Sequence, residues 1–103
     1  MTVSTPIELC SERTASDLLA VVADPIRWEL LRRLTAGGCC VCTLQEHVTV
    51  PANLLSYHLR VLRESGLVTS TRRGRWVDYA LAPDAFDRLC AALPVTPPLL
   101  VPR

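Results

Sequence analysis

Lysine is missing from this chain of 103 residues; all eleven basic side chains are arginine. Long apolar runs are missing too. No segment approaches the roughly 18 continuous apolar residues of a membrane span. The start, MTVSTPIELCSERT, has neither the basic opening nor the apolar core of a secretory signal. The sequence therefore predicts a cytoplasmic protein with no membrane partner. Glycine is scarce, at four residues, and forms no phosphate-cradling loop. No Ser/His/Asp set stands out, so nothing reads as an enzyme. The aromatics are few, and the net charge is only +1.

What is there begins with cysteine. Five is an odd number, and a reducing compartment disfavours disulfides. Both points argue for metal or redox chemistry rather than a disulfide framework. Three of the five, Cys39, Cys40 and Cys42, crowd into the stretch AGGCCVCTLQEH. Half the residues are apolar, enough for one small domain that gains from a partner subunit or a metal.

The small net charge hides an uneven distribution. Residues 1–50 carry −2, residues 51–76 carry +4 and residues 77–103 carry −1. A basic middle in a near-neutral chain is the footprint of nucleic-acid binding.

Residues 1–13 read as a flexible arm, and Thr14 to Ala23 as a short helix. Asp24-Pro25 is a helix start, with Asp as N-cap and Pro at the first position. Ile26, Leu30, Leu31 and Leu34 form the buried stripe, and Gly37-Gly38 ends the helix. Thr43 and Glu46 have capping-box spacing, which predicts a short helix from Thr43 to about Val48. Pro51 restarts a helix that reaches Ser65, with Gly66 as its cap. Its apolar side carries Leu54, Leu55, Leu59, Val61 and Leu62. Its other side carries Asn53, Ser56, Tyr57, Arg60, Arg63 and Glu64, groups able to bond to bases and phosphates. His58 falls within the apolar side and reads as a packed, hydrogen-bonded histidine.

Two β-prone runs flank Arg72-Arg-Gly-Arg75 and predict a hairpin whose tip carries Arg72, Arg73 and Arg75 as a phosphate clamp. Ala82-Pro83-Asp84 opens a last helix with Phe86, Leu89, Cys90 and Leu93 on one stripe; Cys90 reads as a core residue. Residues 94–103 read as an extended, Pro-rich tail. The predicted architecture is mainly α with one β-hairpin, a winged helix-turn-helix over residues 14–93 whose flanking helices are free to make a dimer.

The stretches Ala23-Asp-Pro-Ile-Arg27, Leu55-Ser-Tyr-His-Leu-Arg60-Val-Leu-Arg63, Glu64-Ser-Gly-Leu-Val68 and Arg73-Gly-Arg75 with Trp76-Val-Asp-Tyr79 resemble the ArsR/SmtB family of metal-sensing repressors. Cys40-Val41-Cys42 resembles the Cys-Val-Cys box of the family's arsenic and cadmium/lead sensors. The resemblance implies a homodimer on double-stranded operator DNA that leaves it when metal binds. There are departures. Thr43 and Gln45 stand where the arsenite box continues with Asp and a third Cys. Pro51 and Ala52 replace the usual polar pair before the recognition helix, so base readout rests on Asn53, Ser56 and Tyr57.

Soft thiolates select soft ions. Cys40 and Cys42, just before a helix, are the first candidates. The third thiolate is either Cys39, brought round by the turn after Gly37-Gly38, or Cys10, reaching in from the arm. As(III) or Sb(III) needs about three sulfurs; a four-thiolate site suits Cd(II) or Pb(II), and Zn(II) accepts either count. His47, at the end of the short helix, reads as a helix-end residue. A strained Cys40–Cys42 disulfide would make the same fold a thiol-redox switch. The remaining alternative is a small structural zinc domain, which would unfold without metal.

Overall fold

The computed structural model describes residues 6–95, with side chains from Thr14 onward. Eight elements follow in order: α1 (Pro6–Ala23), α2 (Pro25–Leu34), β1 (Cys39–Cys40), α3 (Val41–His47), α4 (Ala52–Glu64), β2 (Val68–Arg73), β3 (Trp76–Leu81) and α5 (Ala85–Ala92). No helix among the described residues is long and apolar enough to cross a membrane.

Local chemistry accounts for the boundaries. The Asp24 carboxylate accepts from the amides of Ile26 (2.8 Å) and Arg27 (3.1 Å). It thus satisfies two of the donors that a helix start leaves without partners. Desolvation pushes its pKa up, but the bonds from Arg27 and Ile26 outweigh it and hold the group below its usual value. Gly38 stands where β1 runs close to β3; a Cβ there would meet the Tyr79 carbonyl oxygen at 3.0 Å. Gly74 and Arg75 form a two-residue hairpin loop in which only Gly74, at φ +59°, is positive. Those are the signs a type II′ turn requires, with glycine first.

The sheet is antiparallel, ordered β1-β3-β2. Cys39 pairs with Tyr79 and Cys40 with Asp78; across the wing, Ser70 pairs with Tyr79 and Thr71 with Asp78. Directly opposed residues share a face. Cys40, Asp78 and Thr71 are therefore one cross-strand row, and Cys39, Tyr79 and Ser70 the adjacent row on the other face. The core is Leu30 and Leu34 of α2, Leu44 of α3, Leu55, Leu59 and Leu62 of α4, with Leu67 and Val68 entering the wing. α1 packs on α2 and α5, and α4 on α2 and β2.

Four expectations are corrected. α1 begins at Pro6 rather than Thr14, so Cys10 lies in a helix and not in a free arm; its side chain is outside the described residues. α3 begins at Val41, with Cys40 rather than Thr43 at the N-cap, because pairing with β3 ends at Cys40 and releases the chain to coil. β1 was absent from the reading, since two residues carry no readable period. Cys90 is exposed, not core. Phe86 is 75% exposed and Leu93 49% exposed, because α5 turns Ala85 and Leu89 inward instead. The tail from residue 96 is outside the described residues.

Candidate functional site

The thiol cluster divides by strand alternation. The sulfurs of Cys40 and Cys42 lie 3.3 Å apart, and the Thr43 hydroxyl is 3.5 Å from Cys40 Sγ. The Thr43 hydroxyl, then the Thr43 amide and the Cys42 thiol, stabilise the Cys40 thiolate and draw its pKa down to about 7. Cys42 moves up, first because it shares a hydrogen bond with Cys40. A pair arranged this way surrenders its first proton readily, and a thiophilic ion displaces the second.

Cys39 is different. It packs against the hydrophobic core beside Tyr79, and burial foremost pushes its thiol up. It sits in the row facing away from Cys40. The structure therefore brings Cys40 and Cys42 together and leaves Cys39 on the opposite face. Among the described residues, no three metal-ligating side chains converge. His47 is exposed at the last turn of α3. Gln45, at the position of the arsenite box's third cysteine, donates its side-chain amide to the Val50 carbonyl at 2.6 Å. It pins the turn between α3 and α4.

An open depression of about 430 Å³ lies beside Cys40, lined by residues 38–40, Thr43, Thr71, Arg73 and residues 78–80.

The DNA-facing candidates sit on α4 and the wing. Leu55, His58, Leu59 and Leu62 are buried, which leaves Asn53, Ser56, Tyr57 and Arg60 exposed. Tyr57 meets His58 edge-on at 5.1 Å, and the Arg60 guanidinium lies 5.6 Å over the Tyr57 ring. His58 is 5% exposed, and Arg27 Nη1 donates to its Nδ1 at 3.0 Å. Arg27 Nε also donates to the Val21 carbonyl at 2.6 Å. One guanidinium thus ties α1, α2 and α4 together. The sequence reading anticipated a bonded His58 but not Arg27; a basic residue on an otherwise apolar face of α2 was the available signal.

The three wing arginines are not equivalent. Only Arg75 lies in the loop. Arg72 folds back to the Gly74 carbonyl at 3.3 Å. Arg73 makes a two-point pair with Asp78, Nε–Oδ2 2.5 Å and Nη2–Oδ1 3.3 Å. Asp78 was missed as a site residue. Counting register back from the two-residue turn would have placed it diagonally across from Arg73.

A polar-faced helix behind a tight turn, followed by an arginine-bearing hairpin, defines a winged helix-turn-helix DNA-binding protein. The profile described as bacterial regulatory protein, arsR family, matches residues 24–70. The arsenical resistance operon repressor of Staphylococcus xylosus is 35% identical over 77 residues, 75% of this chain and 74% of that protein. The HTH-type transcriptional repressor SmtB of Mycobacterium tuberculosis is 40% identical over 68 residues, 66% of this chain but only 50% of that protein. A crystal structure described as a possible transcriptional regulator for arsenical resistance matches with TM-score 0.69 and 41% identity, covering 73% of this chain and 78% of that one. The chain belongs to the ArsR family of bacterial regulatory proteins. It is a DNA-binding transcriptional repressor of the ArsR/SmtB type and not an enzyme.

Proposed function

We propose that the protein represses transcription as a homodimer on operator DNA and is released when As(III) or Sb(III) binds the thiolates of Cys40 and Cys42. The observation that carries this reading is the 3.3 Å approach of the two sulfurs one short helix upstream of α4. The pair forms a ready chelate for a thiophilic ion, with a third donor completing a pyramid. Since Cys39 faces the core, Cys10 is the thiol we assign as that donor. Asn53, Ser56, Tyr57 and Arg60 read the major groove, while Arg72 and Arg75 serve the flanking backbone and Arg73, paired with Asp78, braces the wing. Two recognition helices about 34–36 Å apart match successive major grooves. The exposed stripe Phe86, Cys90 and Leu93 on α5 supports a second copy as its cover.

Two variants of this reading have support of their own. The likeness to the repressor SmtB supports a signal other than As(III) or Sb(III), for which Cd(II), Pb(II) and Zn(II) are the thiophilic candidates. The sulfur–sulfur approach also suits oxidation to a disulfide.

The test is fluorescence anisotropy of the reduced protein on its own upstream DNA, titrated with arsenite, antimonite, cadmium, lead and zinc. Cys10→Ser and Cys39→Ser variants run in parallel. Release by arsenite, lost in Cys10→Ser and kept in Cys39→Ser, is the expected result. Release by none of the ions refutes metal control and leaves oxidation to be examined.

A further inference from the structure

We propose that the wing carries the signal from the thiols to the DNA, through the Asp78–Arg73 pair. This rests on the soft-metal reading of Cys40 and Cys42, and it names a route that does not pass through α4.

The argument is one of register. β1 joins Cys40 to Asp78, and β2 joins Asp78 to Thr71, so the three side chains emerge on one face. Arg73 lies two residues further along β2, on that same face. Its guanidinium reaches diagonally back to Asp78. The pair braces the outer part of the hairpin, Arg73↔Trp76 and the Gly74-Arg75 loop, against the rung that bears Cys40. Asp78 and Arg73 also line the depression beside Cys40. Cys40 shares that face with Asp78, so an ion held by Cys40 and Cys42 would bring positive charge close to the Asp78 carboxylate. Whatever draws Asp78 away unbraces the wing and with it the loop that presents Arg75.

Asp78 and Arg73 are thus positioning residues. An exposed ion pair has a modest effect, so its loss lowers operator affinity only about two- to fivefold. That is part of the roughly 5- to 150-fold change typical of allosteric coupling. α4 is free to carry the rest.

The experiment uses the full chain with Trp28→Phe, which leaves Trp76 on β3 as the single tryptophan. Arsenite or cadmium binding is read from thiolate–metal absorption, the wing from Trp76 emission and release from operator anisotropy. In this parent, metal binding is expected to change Trp76 emission without DNA. Asp78→Asn is expected to bind metal with unchanged stoichiometry. Its emission already matches the metal-bound parent, its apo affinity is about two- to fivefold lower, and its metal-induced loss is smaller by the same factor. Arg73→Met repeats the pattern if Asp78→Asn folds poorly. Thr71→Val, in the same row but outside the pair, keeps the parent response.

Metal bound with Trp76 emission unchanged overturns the proposal and leaves metal sensing intact. So does full release in both Asp78→Asn and Arg73→Met, or an equal defect in Thr71→Val. A parent without any thiolate–metal absorption removes the soft-metal reading itself and the proposal with it.

Discussion

Helices α4 and α5 carry equally plain apolar stripes, yet the fold treats them oppositely. In α4 the stripe is covered: Leu55 and Leu62 are fully buried and Leu59 is 1% exposed. In α5 the stripe of Phe86, Cys90 and Leu93 stays in solvent, and only Ala85 and Leu89 turn toward the core. Periodicity announces that a face needs covering. It does not say whether the same chain supplies the cover. α4 has α2 and β2 against it; α5 has α1 on one side and leaves Phe86 outside.

The largest expected difference between the two helices is in folding. Leu59→Ala removes a fully packed side chain and should cost about 2–5 kcal/mol, read as a lower midpoint in urea. A cost below about 1 kcal/mol would show that α4 is not the centre of the core. Phe86→Ser on α5 should act on association instead. Sedimentation equilibrium should find self-association weakened about 100-fold or more, the loss of one large apolar contact per copy. Unchanged association would remove α5 from the proposed dimer contact.

Arg27→Met sharpens the account of α4. It strands the buried His58 and the Val21 carbonyl, at a cost of about 1–3 kcal/mol. Thermal melting should record it, together with weaker operator binding through the displaced Tyr57. The smallest effect is expected where the two helices meet. Arg88 of α5 donates to the Ser65 carbonyl at 2.9 Å, closing the end of α4. Arg88→Ala should cost about 0.5–1.5 kcal/mol, visible as faster amide exchange in the last turn of α4.

Much of this was legible in advance. The Asp24-Pro25 start, the apolar side of α4 and the wing are set by rules that reach three or four residues: caps, helical spacing, a glycine turn. The readings that failed depend on longer reach. Thr43 and Glu46 had capping-box spacing, but Cys40 took the N-cap because β3, almost forty residues on, ended the strand there. Cys90 had core spacing, but its neighbours in the fold lie elsewhere. Arg73 looked like a free cation at a tip until the register placed Asp78 diagonally across from it.

The sequence by itself determined the class of protein, because the helix-turn-helix and the wing are local patterns, and it placed the soft thiols at the start of the helix-turn-helix. Only the tertiary structure decided which of Cys39 and Cys40 packs against the core. Alternation says that neighbouring thiols face opposite ways. Which of the two meets the core depends on the pairing of β1 with β3, a contact between segments far apart in the chain.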